Sequence, residues 1–223
     1  MITSKIMFRG HHMDMATPAY HDHVARYWRD GQLYEGGKDG MLGKCHSLYS
    51  RRQMNLVLDI GGHMGNHAAF FAAVINAPVI SFEPNPIAFE VLKINAALHG
   101  FKAVQMAMGD DSFLRYNIVA GPEGNTGMAR AVPCKKGTVT GTTLDNYLTA
   151  FAPKKVSLIK IDVEGAEMKV LTGAASTIKK NLPDLWVETN DPVACQRMIS
   201  RMAGVRYSVD GPYNATPTYR FYN

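Results

Sequence analysis

The stretch NLVLDIGGHMGNHAAF, residues 55–70, decides the fold. Leu56-Val57-Leu58 is an unbroken apolar run, the mark of a strand buried on both faces, and it delivers Asp59 at its end. Gly61, Gly62 and Gly65 follow, then a helix-forming segment rich in Ala and Phe. A strand that passes through a tight glycine turn into a helix is how α/β folds hold nucleotide-like ligands. The glycines let the backbone approach the ligand, and the open helix N-terminus offers unpaired N–H donors.

Outward from this stretch, strands and helices alternate. Val79–Phe82 reads as a second strand, ending in Glu83-Pro84-Asn85-Pro86; Pro86 opens a helix to about His99, closed by Gly100. Lys102–Met106 is a third strand, and Val156–Ile161 a fourth that ends in Asp162. Helices cover Ala166–Leu171 and a segment reaching about Asn181, Leu185–Val187 is a fifth strand, and Val193–Met202 a last helix. Val205–Val209 and Tyr219–Tyr222 are expected to pair at the far sheet edge. Residues 110–142 break the rhythm and predict a hairpin-like excursion from Tyr116–Val119 and Ala129–Val132, followed by a short helix from Thr143. The expected architecture is α/β: a doubly wound, mostly parallel seven-stranded sheet with an antiparallel edge hairpin. Residues 51–223 would form this domain. Residues 1–50 read as a helical and loop extension, with a helix in Thr17–Leu33 and a glycine loop through Gly43, serving as a lid or substrate-side brace.

With 223 residues, 46% apolar and 19% charged, the chain can bury a full core and is not a disordered one. The net charge is +5, but Lys and Arg are scattered, which fits a solvated surface better than a nucleic-acid footprint and would also suit an anionic substrate. Cys45, Cys134 and Cys195 lie far apart, against both a zinc site and a disulfide framework. The N-terminus lacks the apolar core of a signal peptide and no apolar run is long enough to cross a bilayer, so the expectation is a soluble cytoplasmic protein. His11, His12, His21, Asp22 and His23 match no metal-ligand spacing and read as exposed residues.

Three features narrow the ligand. A dinucleotide site wants G-x-G-x-x-G, whereas this turn reads Asp59-x-Gly61-x-x-x-Gly65 with His63 two after the first glycine. That spacing resembles the turn of S-adenosylmethionine-dependent methyltransferases, whose cofactor carries a sulfonium and an ammonium and so favours a carboxylate at the strand end. Glu83, one strand on, stands where a carboxylate can accept both ribose hydroxyls. Asp110 and Asp111 follow the third strand, where an adenine amino group would fall, although a solvated turn reads almost as well. Third, VSLIKIDVEGAE, residues 156–167, brings Asp162 to the crevice beside the glycine turn.

With these in hand the sequence resembles the FkbM family of S-adenosylmethionine-dependent methyltransferases, of the Rossmann-like class I. The match runs from about Asn55 to Glu188 through VLDIGGHMGNH, SFEPNP, GNTG at 124–127, TTLDNYL, IKIDVEGAEMKVLTGA and PDLWVE. Where the family often has Ala-Asn after the first glycine, this chain has Gly62-His63. The resemblance implies methyl transfer to an oxygen of a sugar, glycan or other small molecule, with the cofactor held by Asp59, Gly61, Gly65, Asn66, Glu83, Pro84 and Asp110. Two alternatives stand beside it: methylation of a nitrogen, a nucleic acid or a protein, and non-catalytic binding of the cofactor. The first is weakened because the fourth strand lacks an Asn-Pro-Pro-aromatic type motif.

A hydroxyl acceptor must lose its proton, and two routes are open. Asp162 or Glu164 could act as general base, or Asp162, Glu188 and Asn190 could bind a hard divalent cation such as Mg²⁺. His67, in the first turn of a helix, is expected to be neutral; His63 is an acceptor-side residue or a loop histidine. Tyr20, Tyr27 and Trp28 either stack on an acceptor ring or pack onto the domain.

Overall fold

Residues 1–50 begin with a β-hairpin where a helical and loop extension was expected. Strand β1 (Ile2–Phe8) pairs antiparallel with β2 (His11–Thr17). The driving pattern is a period of two: Ser4, Ile6 and Phe8 point inward on β1, Met13 and Met15 on β2. Arg9 and Gly10 make the turn with φ of 47° and 87°, the positive pair that a tight two-residue hairpin favours. The helix expected over Thr17–Leu33 shrinks to α1 (His23–Arg29). The Asp22 carboxylate starts it by accepting the N–H groups of Val24 and Ala25. The glycine loop ends earlier than expected, since α2 (Met41–Tyr49) takes up its last residues.

The computed structural model describes residues 1–110, 115–121, 125–150 and 155–223; Asp111, and Gly124 of the GNTG segment, lie outside them. From Leu56 onward the alternation follows the sequence closely. β3 (Leu56–Ile60), α3 (Asn66–Ala73), β4 (Val79–Phe82), α4 (Pro86–His99) and β5 (Lys102–Val104) form the first half. A second, four-stranded sheet then branches off, built from β6 (Ala107–Met108), β7 (Arg115–Val119), β8 (Arg130–Pro133) and β9 (Val139–Thr142) in the order β6-β9-β7-β8. The expected hairpin is its β7–β8 pair; β9 carries no strong strand signal of its own. α5 (Leu144–Thr149), β10 (Val156–Ile161), α6 (Glu167–Gly173), α7 (Ala175–Asn181), β11 (Asp184–Glu188), α8 (Pro192–Ala203) and the hairpin β12 (Ser208–Tyr213) and β13 (Thr218–Tyr222) complete the chain.

The main sheet has seven strands in the order β12-β13-β11-β10-β3-β4-β5. Strands β11, β10, β3, β4 and β5 are parallel, and the β12–β13 hairpin closes the edge antiparallel. Alternate residues serve opposite faces. Val57, Leu158 and Trp186 join an apolar cluster with α3 and α4, whereas Leu58, Ile60, Ile159 and Ile161 pack with α6, α7 and α8. Ile6, Phe8, Met15, Trp28 and Leu42 belong to the first cluster, so residues 1–50 complete a face of the sheet. No helix among the described residues is long and apolar enough to cross a membrane.

Trp28 is wholly buried in that cluster and donates its indole N–H to Asn66 Oδ1 at 3.0 Å. Trp28→Ala is expected to lower the unfolding free energy by about 3–5 kcal/mol, and Trp28→Phe by less. Urea titration followed by circular dichroism measures both. A loss under about 1 kcal/mol for the alanine variant would mean the N-terminal segment is not docked as described.

Candidate active site

The carboxyl ends of β3, β4, β10 and β11 open into a cavity of about 570 Å³. That is the place where parallel α/β sheets bind ligands and a size suited to a nucleoside-like one. Its wall includes Gly61, Gly62, Asn66, Glu83, Pro84, Asp162, Glu164 and Glu188. Asp59, Gly65, Asp110 and Asn190 are not on it.

Under the glycine turn sits a buried charge network. Asp59, fully buried, accepts a hydrogen bond from Ser81 Oγ at 2.9 Å and lies 3.3 Å from Lys160 Nζ. Lys160 also reaches Asp162 Oδ2 at 3.2 Å and donates to the Gly61 carbonyl at 2.8 Å. Asp59 therefore acts on the turn from beneath. Gly61, at φ 78°, is required here for packing, because a Cβ would run into the Asp162 carbonyl. Gly65, at φ 99°, forms the left-handed entry to α3 with Leu92 and Phe101 close by, so its role is also internal. Burial works against the ammonium of Lys160, but Asp162, Asp59 and Glu35 outweigh it and hold its pKa well above the lysine range.

Asp162 and Glu188 form a carboxyl pair on the cavity wall. Burial disfavours the ionised Asp162, yet the charges of Lys160 and His67 and hydrogen bonds from Lys160 and Glu188 hold its pKa below the usual value. Glu188 responds the other way. Burial, then the Asp162 charge and the hydrogen bond to it, push its carboxyl up to about 8. The two thus share a proton at neutral pH and titrate as a pair. Glu164 is half-buried, its pKa raised by burial and by Asp162. It sits at φ 55° in a sharp loop that Glu167 braces by accepting the N–H groups of Val163 and Gly165 at 3.3 and 2.9 Å.

Glu83 accepts two backbone N–H bonds, from His63 at Oε2 and from Asn85 at Oε1, both 2.7 Å. Burial still pushes its carboxyl up to about 7. His63, at φ 50°, contacts Thr126 Oγ1 through Nε2 at 2.6 Å, and that hydroxyl donates to Asp22 at 2.7 Å. Burial lowers the His63 pKa, leaving the ring neutral at pH 7. The turn Thr126–Met128 is thereby tied to both the glycine turn and the start of α1, and it lines the cavity.

Asn66 faces the N-terminal segment with every bond the structure gives it. It accepts from Trp28 Nε1 and Tyr34 N and donates to the Tyr34 carbonyl. His67 pairs with Glu35 at 2.9 Å, both nearly buried. Trp28 packs in the core, Tyr20 is exposed and Tyr27 lies against Tyr34. Lys160, Tyr34, Glu35 and Thr126 escaped the reading of the sequence. A lysine within the apolar run VSLIKI was the available signal for the first, and the GNTG segment at 124–127 for Thr126; nothing local marks Tyr34 or Glu35.

Asp162, Glu188 and Asn190, the expected cation ligands, do not converge on the cavity wall. Lys160 already neutralises Asp162, Glu188 hydrogen-bonds to it, and Asn190 is exposed away from the wall. Among the described residues, no group of three His, Cys, Asp or Glu side chains could hold a metal ion.

Lys160→Met should cost about 3–5 kcal/mol at neutral pH, because it strands buried Asp59 without its cation. In the native chain the lowered Asp162 pKa contributes stability above the carboxylate range that is lost as pH falls. The deficit should therefore narrow toward pH 3–4, as measured by denaturant titration. A pH-independent deficit would contradict the ion-pair account.

The FkbM methyltransferase domain matches residues 59–209, which take in the glycine turn, Glu83, Asp162 and Glu188. The chain is 25% identical over 213 residues to Methyltransferase 1 of Beauveria bassiana (strain ARSEF 2860), covering 83% of this chain and 86% of that protein. It is 27% identical over 138 residues to the hexuronic acid methyltransferase AglP of Haloferax volcanii, covering 59% of this chain and 55% of that one. Methyltransferase FkbM from Methylobacillus flagellatus KT shares the fold with a TM-score of 0.54 at 17% identity, over 76% of this chain and 44% of that chain. Precorrin-6y C5,15-methyltransferase from Geobacter metallireducens GS-15 does so with a TM-score of 0.50 at 12% identity, over 93% and 92% of the two chains. Sheet order, glycine turn and matched region agree: the chain belongs to the FkbM methyltransferase family and has the class I methyltransferase fold.

Proposed function

We propose that this methyltransferase moves a methyl group from S-adenosylmethionine to a hydroxyl oxygen of a sugar, glycan or other small molecule. The observation that carries the reading is the Asp162–Glu188 pair on the cavity wall, a proton acceptor poised near neutral pH. The donor set suits the cofactor. Each Glu83 oxygen takes one N–H and keeps lone pairs for a ribose hydroxyl. Phe82, Pro84, Met106 and Met108 offer an apolar slot for a purine, and the acidic wall suits cationic groups. Bound there, the cofactor would supply an electrophilic methyl group.

The chain's own part is to orient the acceptor, exclude water and take its proton. Orientation can supply about 7–11 kcal/mol. Thr126–Met128, held by His63 and Asp22, line the space the acceptor would fill, and the hydroxyl proton passes to the carboxyl pair. Asp162 alone is a weak base because Lys160 stabilises its ionised form; the doubly ionised pair is the competent acceptor. Glu164, at the loop edge, supports the negative field of the pair. The name of the Haloferax volcanii relative, with hexuronic acid as its substrate, also points to a sugar.

Calorimetry with S-adenosylhomocysteine tests the cofactor half. Affinity should rise as pH passes about 7 and Glu83 ionises, and Glu83→Gln should weaken binding about 10- to 100-fold and remove that dependence. Release of S-adenosylhomocysteine across a panel of sugars, nucleotides and phenols tests the reaction. With an active acceptor, turnover should climb to a plateau above about pH 8. Asp162→Asn should lower it about 10²- to 10⁴-fold and move the limb to lower pH, since the like charge on Glu188 is gone. Near-normal turnover in that variant would sink the base assignment.

A further inference from the structure

We propose that the N-terminal segment carries the acceptor subsite, where Tyr34, backed by His23 and Tyr27, packs against the ring of an uncharged sugar whose hydroxyls bind Glu35. This rests on the methyltransferase reading above. Tyr34, Glu35 and His23 line the same cavity as Asp162 and Glu188, although all three lie outside the region that matches the family. The rings of His23, Tyr27 and Tyr34 form a closed edge-to-face triad, with centroids 5.3 to 5.5 Å apart. Asn66 clamps both backbone groups of Tyr34 at 3.1 and 2.9 Å, so the ring is held without using its hydroxyl.

Two polar atoms at this wall are left over. Among the described residues the Tyr34 hydroxyl makes no hydrogen bond, and Glu35 gives only Oε2 to His67, leaving Oε1 unused. An aromatic wall beside a nearly buried carboxylate is the chemistry that recognises a carbohydrate. The apolar C–H face of the ring meets the aromatics and the hydroxyls meet the carboxylate. A flat aromatic acceptor whose one hydroxyl receives the methyl group would use the wall but leave Glu35 Oε1 without a donor. An anionic acceptor would meet Glu35 and Asp162 with the same sign of charge.

Saturation-transfer NMR on the full chain with S-adenosylhomocysteine, using methyl glycosides of glucose, galactose, mannose and rhamnose, tests the subsite. At least one glycoside should bind. Tyr34→Ala and Glu35→Gln should each weaken it about tenfold or more, Tyr34→Phe should keep most of it, and S-adenosylhomocysteine affinity should stay within about twofold. If Tyr34→Ala does not fold, His23→Ala serves, with a smaller loss expected. No glycoside binding to the S-adenosylhomocysteine-bound native chain, or native-like binding in the alanine variants, overturns the subsite. Methyl glucuronide binding more tightly than every neutral glycoside overturns its uncharged character. Failure of the native chain to bind S-adenosylhomocysteine would instead sink the cofactor reading on which the subsite rests.

Discussion

Lys160 places one ammonium beneath the ends of neighbouring parallel strands, 3.3 Å from Asp59 on β3 and 3.2 Å from Asp162 just past the end of β10. Lys160 is buried, and burial of an unpaired ion costs several kcal/mol. Together the three groups are mutually compensated, and the lysine proton left over reaches the Gly61 carbonyl. One cation thus holds the Gly61 carbonyl and keeps Asp162 ionised, and the Asp162 charge adds to burial in raising Glu188. The poise of the cavity wall follows from a residue that itself contributes little to its surface.

The second constraint is the docking of the N-terminal segment. The α/β alternation from β3 onward leaves one face of the sheet short of cover, and Ile6, Phe8, Trp28 and Leu42 supply it. Three polar ties set the register: Asn66 to Trp28 and Tyr34, His67 to Glu35, and Asp22 through Thr126 to His63. Each links an N-terminal residue to the glycine turn or to the first turn of α3. The turn and the proposed acceptor wall are therefore joined by short hydrogen bonds.

Packing beneath the glycine turn changes what that turn means. Read alone, Gly61 suggests backbone brought close to a ligand; in the fold it is close to the Asp162 carbonyl. Asp59 reads as a partner for a cationic ligand and is instead the partner of Lys160. Glu83 stands where the sequence puts it, on the cavity wall, held by two backbone N–H groups.

What the sequence determined by itself was the order of strands and helices along most of the chain from β3 to β13, with boundaries within a few residues for most elements. Apolar runs, Pro86, Gly100 and the hairpin at the end are local signals, and local physics reads them. The opening hairpin was legible in principle from Ile6, Phe8, Met13 and Met15, but a period of two over so few residues is faint beside the helix-like pattern that follows. The tertiary structure alone decided which carboxylates face the cavity, which one keeps its proton and which rings line the acceptor end. Those properties depend on burial and on pairs far apart in the chain, such as Asp22 with Thr126 and Glu35 with His67, and no local spacing encodes them.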